Sequence, residues 1–184
     1  MIETALSSHM ANFEDAINIV LQNEGEKFTD NPHDPGGATK WGITLKSAQA
    51  HGLCQTFDQL KTITRQQASN FYRQYYWSSI YNNITHQSIS TKVFDTGVNV
   101  GPIVAVKYLQ RAVNNLNVDT NTPPLVVDGH IGSQTLAAVN AADPAKLLDE
   151  YRKFQADHYT SWVAADPTER NEFLKRLLNR VQSC

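Results

Sequence analysis

The sequence predicts a mainly α-helical protein, and three observations carry that prediction. Apolar residues recur at helical spacing in most segments of the chain. Capping residues stand just ahead of those segments, and Gly or Pro just beyond several of them. No stretch shows the sustained apolar–polar alternation of a half-buried strand. A chain of 184 residues suffices for one good core or two small packed subdomains.

The first helix is expected over roughly 12–23. Asn12 is a good N-cap, and Glu14 and Asp15 fall in the first turn, where the helix dipole favours acids. Phe13, Ala16, Ile17, Val20 and Leu21 form a buried stripe, and the next position on that stripe is Glu24. A carboxylate therefore stands where an apolar residue is expected. Thr44 caps a short helix over 45–51 that Gly52 stops. Thr64, with Gln67 three residues on, forms a capping box for a helix carrying Ala68, Phe71, Tyr72 and Tyr75. Ser88 opens a helix through Val100, with Asp95 and Asn99 on one face.

Gly101-Pro102 breaks that pattern, and Pro102 suits the first position of the next helix, which runs to about Asn115. The stretch 117–124 is the most linker-like in the chain. Ser133 is expected to cap a helix over 134–141. Asp143-Pro144 and Asp166-Pro167 open the last two helices, the final one with a stripe of Phe173, Leu174, Leu177, Leu178 and Val181. Any β-structure is expected as a small hairpin within 28–43. The expected organisation is a disordered tail over 1–11, a first domain over 12–100, and a second helical region over 101–184 packed on the first.

Composition excludes several classes. A net charge of −2 gives no basic field, so nucleic acid is not a partner. No run approaches the ~20 apolar residues that span a bilayer, so membrane insertion is not expected. The N-terminus shows no signal-peptide pattern. Cys54 and Cys184 are expected as free thiols rather than a disulfide. His33 adjoins Asp34, but there is no HExxH, no His pair at i, i+4 and no CxxC, so neither a metal nor another cofactor is expected.

The stretch 24–44, EGEKFTDNPHDPGGATKWGIT, has no helical or strand period, yet it concentrates acids, turn formers, a hydroxyl and an indole. Its residues suit glycoside hydrolysis. That chemistry needs a protonated carboxylic acid beside the leaving oxygen, and usually a second carboxylate. An apolar surrounding raises a carboxyl pKa, which makes Glu24 the candidate acid by position. Asp34 and Asp30 are candidates for the second role, although Asx-turns ahead of Pro35 and at Asn31-Pro32 would also account for acids there. The Thr39 hydroxyl is a candidate for holding water. Trp41, Tyr72, Tyr76 and Asn99 are candidate substrate-binding residues; for the aromatic ones, core packing is the competing reading.

This stretch resembles the N-terminal signature of the glycoside hydrolase family 108 N-acetylmuramidases. FDTGVNVG at 94–101 is similar to that family's second motif, and VDGHIGSQTL at 127–136 to the peptidoglycan-binding domain that commonly follows. The resemblance implies a lysozyme-like helical fold that hydrolyses the β-1,4 bond between N-acetylmuramic acid and N-acetylglucosamine, with Glu24 as catalytic glutamate. His33 stands where phage-type lysozymes carry their aspartate, which leaves Asp34 and Asp30 both open. A non-catalytic peptidoglycan-binding module and a lytic transglycosylase are the alternatives. Peptidoglycan is the implied partner, a monomer is expected, and an immunity or delivery protein is left open. The expected site of action is the periplasm or cell wall, reached from the cytoplasm without a Sec signal, as a phage endolysin or a delivered effector.

Overall fold

The computed structural model describes residues 10–30, 37–118 and 122–183. Nine α-helices and one short hairpin make up the described fold: α1 Phe13–Glu24, β1 Thr39–Lys40, β2 Ile43–Thr44, α2 Leu45–Ala50, α3 Phe57–Lys61, α4 Arg65–Tyr75, a 3-10 turn Ser79–Asn83, α5 Gln87–Val100, α6 Pro102–Leu116, α7 Ser133–Ala141, α8 Pro144–Ala164 and α9 Pro167–Gln182. The mainly helical class is as the apolar periodicity predicts.

Local chemistry explains most boundaries. The Asn12 side chain accepts the Asp15 N–H at 2.9 Å and starts α1, whose whole apolar stripe is buried. Capping boxes start both α3 and α4. Two caps differ from expectation. Helix α5 starts at Gln87, with no side-chain cap from His86; Gln87 instead pairs through its amide with the backbone of Asn12. Gly132, not Ser133, occupies the N-cap of α7. Helix α3 and the 3-10 turn are too short to announce themselves by period. Ala11, assigned to the tail, is buried, and its N–H donates to the Ile84 carbonyl at 3.1 Å.

Helix α5 is the axis of the molecule. Every residue from Ile89 to Gly97 is buried, with α1 packed on one side and α6 and α8 on others. One continuous apolar core runs from Phe13 to Tyr151 and so includes residues of both halves. Gly97 allows the tight passage from α5 into α6: a Cβ there would stand 3.3 Å from the Pro102 Cα. A smaller apolar cluster of Tyr159, Val163, Phe173, Leu177 and Val181 joins α8 to α9.

Helix α9 is tied back to α5 by a buried lysine. Lys92 Nζ donates to the carbonyls of Arg180, Val181 and Ser183 at 2.8, 2.7 and 3.0 Å. Those carbonyls lie at the helix C-terminus, where partners are lacking within the helix and the dipole favours a cation. The next turn of consequence is therefore fixed in space: Arg180 is held beside α1 and α5.

Candidate active site

Glu24 is the last residue of α1, and its side chain is 15% exposed. It ends the apolar stripe as the sequence predicts, but its immediate partner is a cation from the far end of the chain. Arg180 Nη1 lies 2.7 Å from Glu24 Oε1. The same guanidinium donates through Nε and Nη2 to the carboxylate of Asp95, at 3.0 and 2.9 Å, and through Nη2 to the Asp95 carbonyl at 3.2 Å. Asn23 adds a bond to Asp95 Oδ1 at 2.9 Å. Burial works against the charge of Arg180. The charges of Glu24 and Asp95 outweigh it and hold the guanidinium proton more tightly than usual.

The hairpin after α1 presses against the same carboxylate. Trp41 and Gly42 form its two-residue loop with φ of 55° and 74°, both in the left-handed region that a tight hairpin of this kind requires. A tryptophan there is strained. Its indole is buried in the core, with Nε1 donating to the Ile63 carbonyl at 3.1 Å, and its own carbonyl accepts the Tyr72 hydroxyl at 2.9 Å. These contacts set Gly42 directly against Glu24: a Cβ at residue 42 would lie 2.3 Å from Oε2. The glycine is thus required by contact as well as by φ.

A cleft of about 840 Å³ opens over this group. Of the predicted residues, Glu24, Thr39, Tyr72, Tyr76 and Asn99 line it. The Thr39 hydroxyl lies 2.7 Å from that of Thr29, and the two residues pair through both backbone groups. Tyr72 lines the cleft but is only 2% exposed, which leaves no free ring face for the expected sugar contact. Burial, and then the charge of Glu24, push its phenol well above the ordinary range, so it stays a donor. Tyr76 packs on Tyr72 with ring centroids 5.6 Å apart. Trp41 is not a cleft residue: its bonds to Ile63 and Tyr72 turn the ring into the core, which corrects the expectation of a sugar-stacking role. Asp30 is exposed and does not line the cleft. Asp34 lies outside the described residues.

Sequence reasoning missed the wall supplied by α9. Glu172, Lys175, Arg176, Asn179 and Arg180 all line the cleft. Their signal is faint, because charged residues on the outer positions of an amphipathic terminal helix look like an ordinary solvated face. Arg180 has one legible trace, a cation in the last turn of a helix that also carries the stripe. Cys54 is a buried free thiol. Among the described residues, no group of three or more His, Cys, Asp or Glu is placed to hold a metal ion, and no helix is long and apolar enough to cross a membrane.

The described fold is a mainly helical, lysozyme-like body with an acid-bearing cleft between α1, the hairpin and α9. Residues 17–101 match the family profile described as Glycosyl hydrolase 108, and residues 104–182 match that of a "Predicted Peptidoglycan domain". Residues 17–101 thus carry a glycosyl hydrolase 108 region, with the peptidoglycan domain following it in the expected order. It is similar to the solved structure titled "Structure of Brucella abortus SagA", at 26% identity over 92% of each chain, with a TM-score of 0.67. No curated protein matches it. Family and domain together make the protein a peptidoglycan hydrolase in type, with peptidoglycan as its partner.

Proposed function

We propose that the protein is an N-acetylmuramidase that hydrolyses the β-1,4 bond between N-acetylmuramic acid and N-acetylglucosamine. The observation that carries this reading is the setting of Glu24. One carboxylate oxygen is held by Arg180, and the other lies on the cleft wall beside Gly42. In the reaction Glu24 is the general acid: it donates its proton to the leaving glycosidic oxygen. Arg180 orients the carboxyl group and neutralises the carboxylate that remains once the proton has left. Asp34, with the Thr39 hydroxyl, holds the attacking water on the opposite face of the sugar. Tyr76 presents ring surface to the pyranose, and Asn99 supplies an amide.

The reaction then inverts configuration, with the two carboxyl groups about 6.5–9.5 Å apart. The place of action is the cell wall outside the cytoplasmic membrane, where an endolysin or a delivered effector meets this substrate.

The test is loss of turbidity of purified cell wall with wild type and Glu24→Gln, combined with mass spectrometry of the released fragments. Lysis by wild type, its loss in Glu24→Gln, and reducing N-acetylmuramic acid ends support the reading. A 1,6-anhydro end would replace it with a lytic transglycosylase. Wall binding by both proteins without lysis would make the chain a binding module. Asp34→Asn and Asp30→Asn, compared in the same assay, assign the water-holding carboxylate.

A further inference from the structure

Beside the main cleft lies a second cavity, of about 300 Å³, between the end of α5 and helices α8 and α9. It shares Asn99, Arg176 and Leu177 with the cleft, so the two adjoin. Its apolar surface comes from Trp162, Phe173, Leu177 and Val100, and its polar groups from His158, Tyr159 and Arg176. We propose that this cavity is the subsite for the peptide substituent of peptidoglycan, a short acidic peptide carried by the muramoyl ring that the cleft holds. The proposal rests on the muramidase reading and names the part of the substrate that the second half of the chain grips.

Three features select a peptide over a further sugar. The cavity adjoins the cleft but is walled by α8, which does not line the cleft, as suits a substituent on the side of the glycan rather than a further sugar. Its apolar rings suit small alkyl side chains. Charge is the third. The chain is net −2, yet the cleft lining carries four cations, Lys27, Lys175, Arg176 and Arg180, against two carboxylates, Glu24 and Glu172. Arg180 is committed to Glu24 and Asp95. Of the other three, Arg176 also lines the cavity, so a cation stands where a carboxylate-bearing peptide would enter, whereas the glycan is rich in hydroxyl and amide groups.

Arg176 stands at the junction, one helical turn before Arg180 and 5.3 Å from the centre of the Phe173 ring. Its fork suits a carboxylate. Further in, burial lowers the pKa of His158, so the imidazole is neutral at neutral pH and offers one donor and one acceptor to a peptide group. Burial pushes the Tyr159 phenol up to about 12, so it too stays protonated.

The experiment has two arms. In the first, N-acetylmuramoyl tetrapeptide and N-acetylmuramic acid are titrated separately into the intact Glu24→Gln protein, with NMR shifts as readout. The expected result is saturable shifts at Trp162 and His158 for the peptide-bearing ligand alone. Its affinity falls at least tenfold when Arg176→Gln is added and is partly restored by Arg176→Lys. Unperturbed Trp162 and His158 signals, or equal affinity in Arg176→Gln, would overturn the proposal. In the second arm, the rate on peptide-bearing glycan is divided by the rate on glycan stripped of peptide by an amidase. That ratio is expected to fall at least tenfold in Arg176→Gln and to hold in Arg111→Gln, which carries its charge elsewhere. An unchanged ratio in Arg176→Gln would also overturn the proposal. A protein that cleaves neither glycan would defeat the muramidase reading alone, because the first arm decides the peptide subsite without turnover.

Discussion

Two carboxylates share the guanidinium of Arg180, and they are built for opposite purposes. Asp95 sits in the middle of α5, fully buried, and its side chain accepts from Arg180 Nε, Arg180 Nη2 and Asn23. Glu24 sits at the end of α1, partly exposed, with Arg180 as its ion-pair partner among the described residues. Fully buried and bonded to three donors, Asp95 is spent on holding Arg180 and Asn23 and is a structural clamp. A carboxylate held on one oxygen and placed on a cleft is oriented yet still able to exchange a proton. Burial by itself does not mark the reactive acid. The number of donors already spent on it, and the side it presents to the cleft, separate the two.

The comparison breaks most severely at Asp95. Asp95→Ala leaves Arg180 buried at 9% exposure with one of its two counter-charges gone. Removing one partner of a buried pair costs about 3–5 kcal/mol, against a total stability of about 5–15 kcal/mol for an ordinary domain. Urea denaturation should show that loss, and cleft activity should fall with it. Glu24→Gln removes the other counter-charge but keeps an amide oxygen for Arg180 to bond, so stability should fall less than in Asp95→Ala, while wall lysis drops by roughly 10²–10⁴-fold, the usual worth of general acid catalysis.

Gly42→Ala tests the contact that aims Glu24. The left-handed backbone costs a side chain about 1–2 kcal/mol. The new Cβ also drives Oε2 from its place, and a misplacement of about 1 Å can cost about 10²-fold in rate. The expected result is a modest shift in the thermal midpoint with a larger loss of turnover.

The smallest effect is read at Tyr159, whose phenol senses the whole group. Burial raises it most; Arg180 and the Gln155 hydrogen bond lower it, while Asp95 and Glu24 raise it. An unfolded tyrosine titrates near 10. The folded value of about 12 is higher, so the stability from keeping Tyr159 protonated is complete below pH 10. It is lost as pH rises from 10 through about 12. In Glu24→Gln one raising charge is gone, so the phenolate band in ultraviolet difference absorbance should appear at slightly lower pH. An unchanged titration would mean that Glu24 contributes nothing to the field at Tyr159.

The helices were legible because their apolar periods and caps are local. The phase of α1 alone puts Glu24 on the stripe, and Asn12 and Thr64 announce their helices through side chains three residues from the groups they bond. Trp41 was misread for a physical reason. A tryptophan in a glycine-rich loop has the composition of a sugar platform, and only the positive φ and the bonds to Ile63 and Tyr72 show that the ring is spent on holding the hairpin.

The sequence by itself determined the helical class, the family motifs and the single glutamate at the end of an apolar stripe, because each is written within one or two turns of chain. Tertiary structure decided what Glu24 faces. Arg180 lies 156 residues away, and its place depends on Lys92 capping α9, on Asp95 holding the guanidinium, and on the apolar contact between α8 and α9. No local pattern encodes a partner at that distance, because the pairing arises only when the ends of two helices, one from each half of the chain, are packed against α5.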